Sequence, residues 1–259
     1  MVLLLVLVGA LGLAIGSFLD VVIHRVPAGL SVVSPASHCP DCGTPILARH
    51  DVPVAGWLLL RGRSACCDRS IAARYHLVEA LTGALFVLVT WRALQLDQAA
   101  AVPALLTFTA LGVALSGIDL DVRRLPDVLV LPAYPLLLAL FAAAAGVSGD
   151  WASLGRAVLG AAVLFGCYLA LALIHPAGMG FGDVKFSGLI GLVLGWFSWS
   201  TLVVGAFAAF ILGALVGLVV MAVSPLGRKA EVPFGPFMVA GALLALWVTE
   251  PLAGVLTHR

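Results

Sequence analysis

The chain has 259 residues, of which 62% are hydrophobic and only 10% are charged. A soluble domain carries roughly 25% charged residues, because its surface must be largely polar. The composition therefore excludes a soluble globular domain and favours a protein whose solvent is the lipid bilayer. The formal net charge of +1 is not that of a protein with a basic face for nucleic acid, so we expect no nucleic-acid partner.

Apolar segments recur along the chain at the length of about 20 residues that a membrane-spanning helix needs. The longest uncharged run, 186–227, can hold two helices, and its aromatic sequence Trp196-Phe197-Ser198-Trp199-Ser200 suits a turn at the membrane interface. The predicted spans are 1–19, 77–95, 99–118, 128–149, 157–174, two within 186–227, and 232–249. The sequence thus predicts an all-α polytopic membrane protein with about eight transmembrane helices.

The distribution of Lys and Arg predicts the orientation in the membrane, because basic loops remain in the cytoplasm. With eight spans, eleven of the 14 basic residues fall on one side, and six of these lie in segment 20–76. The other side receives only Arg92, Arg156 and Arg259. We therefore expect segment 20–76 to form a small cytoplasmic domain and both termini to lie outside.

Segment 20–76 contains four of the five cysteines and is too short to keep a core without a staple. Cys39 and Cys42 form a Cys-x-x-Cys knuckle, and Cys66 and Cys67 follow about 25 residues later. Four thiolates can hold a structural zinc ion, although adjacent residues such as Cys66 and Cys67 point in different directions. We predict a zinc site of Cys39, Cys42, Cys67 and, as a further candidate, Cys66. A redox pair or free thiols are the alternatives.

Two aspartates follow apolar segments on the predicted cytoplasmic face. Asp119 ends the third span, and Asp183 closes the sequence Gly180-Phe181-Gly182-Asp183 after the fifth. Carboxylates at membrane depth are costly and usually functional. A neighbouring pair shares one proton and can act as base and acid on a single water molecule.

The alternative interpretation is that these aspartates are interfacial loop residues next to Arg123, Arg124 and Lys185. Helix ends commonly carry such charges. Composition also leaves open whether Asp119, Asp121 or Asp127 is the partner of Asp183.

Six sequence blocks occur in an order that resembles one known family. They are Gly16-Ser17-Phe18-Leu19 with Val21 to Pro27, Ser37 to Gly43, Ala73 to Glu79, Ile118 to Asp121 with Leu125-Pro126-Asp127, Gly178 to Lys185, and Val232 to Phe237. In these blocks the chain resembles the type IV prepilin peptidases, also called prepilin leader peptidases, which are Gly-x-Gly-Asp intramembrane aspartic proteases. The resemblance implies that Asp119 and Asp183 are the catalytic aspartates.

The resemblance also implies an activity and a location. Members of the family remove the basic leader of prepilins or pseudopilins at the cytoplasmic face of the bacterial inner membrane. Many then methylate the new N-terminus with S-adenosylmethionine, and the long cysteine loop accompanies that activity. The expected domains are the first helix at 1–19, the zinc- and methyltransferase-associated loop at 20–76, and a seven-helix peptidase core at 77–259.

Two residues depart from the family pattern. Ser64 stands where the family has the first cysteine of its second pair, and Asp20 stands where asparagine is expected. The first departure leaves a peptidase without methyltransferase activity as an alternative. From other classes, an ion-coupled transporter and a membrane-anchored zinc-binding scaffold also remain. Glu79 is expected to be an interfacial carboxylate or a partner for Arg74.

Overall fold

The computed structural model describes residues 1–34, 42–44, 52–67, 69–70, 72–175, 179–223 and 232–257. These residues form helices and connecting turns, and the described ranges contain no strand beyond an isolated bridge between Arg63 and Ser70. The helices are α1 (Val2–Arg25), α2 (Ala55–Leu59), α3 (Ala73–Gln95), α4 (Val102–Val122, after a 3-10 turn at Ala99–Ala101), α5 (Asp127–Ser148), α6 (Trp151–Ile174), α7 (Phe181–Phe197), α8 (Trp199–Val223) and α9 (Gly235–Thr257).

Six helices in the described part of the chain are long and apolar enough to cross a bilayer. They are α1, α3, α4 with its preceding turn, α5, α6 and α8. Helix α7 has 17 residues, and the described side chains of α9 form a shorter apolar segment, Gly235–Thr249. The protein is therefore an all-helical, multi-pass membrane protein, and the count of eight spans stays a prediction.

Several helices extend beyond the apolar segments that predict them. Helix α1 continues to Arg25, α3 begins at Ala73, and α6 begins at Trp151. Helix α6 starts there because the side chain of Asp150 accepts a hydrogen bond from the Ser153 N–H at 3.0 Å. Hydropathy marks the part of a helix that lies in hydrocarbon, whereas capping groups decide where the helix ends.

The predicted turn within 196–200 is confirmed. Helix α7 ends at Phe197, Ser198 has an extended backbone, and α8 begins at Trp199. The side chain of Arg156, on α6, donates hydrogen bonds to the carbonyl oxygens of Gly195, Trp196 and Phe197 at 2.6–2.9 Å. These bonds satisfy carbonyl groups that lack a partner inside the helix, and so they stabilise the end of α7.

The chain divides into two compact units, Met1–Trp91 and Arg92–Arg259. In the N-terminal unit, glycines let the backbones of α1 and α3 touch. A Cβ atom at Gly12 would lie 2.8 Å from the Cα of Gly83, and one at Gly16 would lie 2.6 Å from the Cα of Glu79. From Gly12 to Gly16 of α1, the contacted residue of α3 changes from Gly83 back to Glu79. The two helices therefore pack antiparallel.

In the C-terminal unit the same kind of contact joins neighbouring helices. A Cβ atom at Gly160, on α6, would lie 2.6 Å from the carbonyl oxygen of Gly191, on α7. One at Gly241, on α9, would lie 2.8 Å from the carbonyl oxygen of Gly205, on α8. Small residues at such crossings allow the close backbone packing that holds membrane helices together.

We predict that Gly160→Leu destabilises the protein by about 1–3 kcal/mol, the usual cost of overpacking a core. The matched control is Gly166→Leu on the same helix, where an added Cβ atom meets nothing within 4 Å. Thermal unfolding of the detergent-solubilised protein, followed by circular dichroism, measures the difference. Equal melting temperatures for the two variants would contradict the α6–α7 contact.

Candidate active site

Asp119 lies in the last turn of α4, and only 5% of its surface is exposed. Its Oδ2 atom accepts a hydrogen bond of 2.8 Å from the backbone N–H of Gly235, the first residue of α9. The N–H groups at a helix start have no partner inside the helix and attract negative charge. The start of α9 therefore holds and stabilises the Asp119 carboxylate.

The position of Asp119 follows from the packing of α4 against α9. An added Cβ atom at Gly112 would lie 2.8 Å from the side chain of Val239. Asp119 lies two turns after Gly112 on the same face of α4, and Gly235 lies one turn before Val239 on the same face of α9. The Gly112–Val239 contact and the Asp119–Gly235 contact therefore belong to one line of contacts between the two helices. An added Cβ atom at Gly235 would lie 2.9 Å from Asp119 Oδ2, which leaves room for glycine alone.

Asp183 lies in the first turn of α7. Its Oδ2 atom accepts a hydrogen bond of 3.2 Å from the backbone N–H of Gly180, which caps the helix. Asp119 and Asp183 are close enough for their carboxylates to interact electrostatically. The fold thus brings together two acidic side chains that are 64 positions apart in the chain.

The other two aspartates at this end of α4 have different surroundings. Asp121 is exposed. Asp127 is also exposed and forms an ion pair with Lys185, whose Nζ lies 2.8 and 2.7 Å from its two carboxylate oxygens. Of the three candidates that composition leaves open, Asp119 is the buried one.

A pocket of about 310 Å³ lies beside Asp183, and its walls are mostly apolar. It is lined by Met179, Asp183, Phe210, Ala214, Val232 and Phe234. The ring of Phe210 lies 5.2 Å from that of Phe234 and 5.5 Å from that of Tyr168, so the wall is an aromatic cluster. The site therefore combines paired carboxylates with space for an apolar group.

Sequence reasoning did not assign a role to Gly235 or to this aromatic cluster. The resemblance does include the segment from Val232 to Phe237, which contains Gly235 and Phe234. That segment is the signal from which the partner of Asp119 could have been found.

Three of the four predicted zinc ligands lie together in the N-terminal unit. The sulfur atoms of Cys42, Cys66 and Cys67 are all within 4.8 Å of one another, while Cys39 lies outside the described residues. Zinc–sulfur bonds of about 2.3 Å place tetrahedral ligands roughly 3.8 Å apart, so the three thiols fit a zinc ion. A turn at 65–67 lets the adjacent residues Cys66 and Cys67 both approach Cys42.

The fold and the site define a multi-pass helical membrane protein with a pair of acidic side chains at helix ends. The bacterial peptidase A24 N-terminal domain matches residues 10–93, and the type IV leader peptidase family matches residues 105–219. No solved structure matches the chain.

Three similar proteins carry the name prepilin leader peptidase/N-methyltransferase. The protein from Pseudomonas putida is 37% identical over 93% of this chain and 89% of its own length. The protein from Aeromonas hydrophila is 36% identical over 93% of this chain and 90% of its own length. The protein from Klebsiella pneumoniae is 40% identical over 71% of this chain and 82% of its own length. The chain therefore belongs to the type IV leader peptidase family. Membership favours a peptidase over the transporter and the zinc-binding scaffold.

We predict that Gly235→Ala lowers stability by about 1–3 kcal/mol, because the added methyl group displaces the Asp119 carboxylate from its buried hydrogen bond. Alanine is a better helix former than glycine, so propensity alone would change stability in the opposite direction. The control is Gly217→Ala on α8, where an added Cβ atom meets nothing within 4 Å. Thermal unfolding in detergent compares the two, and a Gly235→Ala protein as stable as wild type would contradict the contact.

Proposed function

We propose that the protein is a membrane aspartic endopeptidase that removes the basic leader of type IV prepilins or pseudopilins and then N-methylates the new N-terminus. Asp119 and Asp183 are its catalytic residues. The observation that carries this proposal is the pairing of buried Asp119 with Asp183 in a chain of the leader peptidase family. The N-methylation is supported by the name that its relatives share.

The carboxylate pair hydrolyses the peptide bond through a water molecule, without a covalent intermediate. Repulsion between neighbouring carboxylates favours a state in which one of the two is protonated. The ionised carboxylate takes a proton from the water as it attacks the scissile carbonyl carbon, and the protonated one donates its proton to the leaving nitrogen. The N–H groups of Gly235 and Gly180 hold the two side chains in place for this exchange.

Cleavage takes place at the cytoplasmic face of the bacterial inner membrane. The support for this location is the excess of Lys and Arg in the segments that precede and follow the candidate site. The partners are therefore the prepilin or pseudopilin and the lipid bilayer, and nucleic acid is not among them.

The two activities belong to different parts of the chain. The apolar part of the first transmembrane helix lies in residues 1–19, the segment 20–76 contains the loop associated with zinc and methylation between the ends of α1 and α3, and 77–259 form the peptidase core. A structural zinc ion would stabilise the fold of the loop by joining Cys42, Cys66 and Cys67, with Cys39 as the expected fourth ligand. S-adenosylmethionine would supply the activated methyl group.

We predict that Asp119→Asn and Asp183→Asn each abolish leader cleavage while leaving a folded membrane protein. An amide can neither take the proton from water nor share one with the remaining carboxylate, and losing a general acid or base typically costs about 10²–10⁴-fold in rate. A gel-shift assay with a prepilin measures cleavage.

The matched control is Asp121→Asn, which changes an exposed carboxylate in the same turn of α4. This variant should retain substantial activity. Full cleavage by either Asp119→Asn or Asp183→Asn would refute the assignment. An inactive Asp121→Asn enzyme together with an active Asp119→Asn enzyme would also refute it.

We also predict that the purified protein carries about one zinc ion per chain. Cys42→Ser and Cys66→Ser should lower the metal content, whereas Cys167→Ser should not, because Cys167 is an exposed residue on α6 far along the chain from the cluster. Elemental analysis measures the metal. Freshly purified, active enzyme without zinc would contradict the prediction.

A further inference from the structure

A second polar cluster lies in the N-terminal unit, where α1 packs against α3. Gly16 contacts the backbone of Glu79, and Asp20 follows Gly16 by one turn on the same face of α1. In the antiparallel register this places Asp20 toward the start of α3. Its carboxylate accordingly interacts electrostatically with both Glu79 and Arg74.

Glu79 connects this helix pair to the short helix α2. It is only 6% exposed, and its Oε2 atom accepts a hydrogen bond of 2.7 Å from the Val54 N–H. The same atom lies 3.2 Å from Nδ1 of His76, whose ring lies 5.0 Å from that of Trp57. Glu79 is therefore a buried carboxylate that interacts with Asp20 and His76, and Trp57 lies beside His76 in the same cluster. The expectation of an interfacial carboxylate or a partner for Arg74 stays a prediction.

Three polar atoms of this cluster are buried and, within the described part of the chain, have no hydrogen-bond partner. They are Asp20 Oδ2, Trp57 Nε1 and His76 Nε2. Leaving a buried polar atom unpaired costs about 1–3 kcal/mol, so three such atoms in one cluster offer hydrogen bonds that a ligand can complete.

These atoms define the chemistry of that ligand. Asp20 Oδ2 accepts hydrogen bonds, and so does His76 Nε2 when Nδ1 donates to Glu79. Trp57 Nε1 can only donate. A ligand that carries both a donor group and an acceptor would pair all three atoms, and the ammonium and carboxylate groups of an amino acid provide this pattern, with the cationic group suited to Asp20 and Glu79.

We propose that the cluster of Asp20, Trp57, His76 and Glu79 binds the amino-acid end of S-adenosylmethionine, an inference that rests on the proposed N-methylation. The ligand's ammonium group donates to Asp20 and His76, next to the negative charge of Glu79. Its carboxylate accepts from the indole N–H of Trp57, and Arg74, whose charge acts on Asp20, adds positive charge to the cluster. All of these residues lie in the unit that also contains the cysteine cluster.

Two other ligands fit the cluster less well. A basic leader peptide could place its Lys and Arg side chains next to Asp20 and Glu79, but the acceptors that it offers to Trp57 are neutral backbone carbonyls and not a carboxylate. A metal ion would take carboxylate and imidazole ligands, but an indole N–H cannot coordinate it.

The experiment measures binding of two product-like ligands to the full-length protein in detergent by isothermal titration calorimetry. S-adenosylhomocysteine has the amino-acid end, and 5′-methylthioadenosine lacks it. Wild-type protein should bind the first at least about tenfold more tightly, as expected for hydrogen bonds to charged groups. In Asp20→Ala and Trp57→Phe this preference should fall to near one, through weaker binding of S-adenosylhomocysteine alone.

Two further variants separate recognition from folding. Asp20→Asn keeps an acceptor oxygen and should retain part of the preference, which also suits the asparagine that the resemblance expects at this position. Thr90 lies eleven residues after Glu79 on α3, and its buried side-chain oxygen also has no hydrogen-bond partner among the described residues. The Thr90→Val variant should therefore bind both ligands as the wild-type protein does.

The outcomes are distinct for this site and for the function on which it rests. If wild-type protein methylates its product but Asp20→Ala and Trp57→Phe keep the full preference, the site is refuted and the proposed function stands. If wild-type protein binds neither S-adenosylmethionine nor S-adenosylhomocysteine, both the site and the methylation are refuted, while leader cleavage is unaffected.

Discussion

Direct contact between helix backbones is the constraint on which the site in the C-terminal unit depends. In a bilayer, helices gain little from burying apolar surface against one another, so close packing and hydrogen bonds hold them together. Glycines supply that closeness between α6 and α7, between α8 and α9, and between α4 and α9. Because Gly112 contacts Val239, the end of α4 meets the start of α9, and Asp119 reaches the N–H of Gly235.

Several ionisable side chains of this unit form hydrogen bonds with backbone groups at helix ends. Asp119 and Asp183 accept hydrogen bonds from backbone N–H groups at helix starts, and Arg156 donates to carbonyl groups at the end of α7. Buried Arg92 instead donates to the carbonyl oxygen of Leu246, in the interior of α9, at 2.7 Å. Charged groups in or near a membrane need such partners, and helix termini are where backbone groups are left over to provide them. The same contacts hold the two carboxylates in fixed positions, as the proposed catalysis requires.

The two proposed activities use residues of different units. The carboxylate pair belongs to Arg92–Arg259, whereas the cysteine cluster and the polar cluster around Glu79 belong to Met1–Trp91. A substitution in one cluster therefore removes contacts within its own unit. Because of this division, we expect that substitutions in the N-terminal unit can change methylation without removing a group of the carboxylate pair.

The sequence by itself determined the helical architecture, the turn at Ser198, the Cys-x-x-Cys knuckle and a short set of candidate aspartates, because hydropathy, turn chemistry and ligand spacing are local properties. Composition and spacing could not choose among Asp119, Asp121 and Asp127, since the direction of a side chain depends on which helices pack around it. The resemblance of the sequence blocks to the prepilin peptidases is what pointed to Asp119. Only the tertiary structure decided that Asp119 is buried and that its partner is Gly235, 116 residues away. It also decided that Glu79 is buried, because helix packing brings α1, α2 and α3 around it and no local pattern encodes that contact.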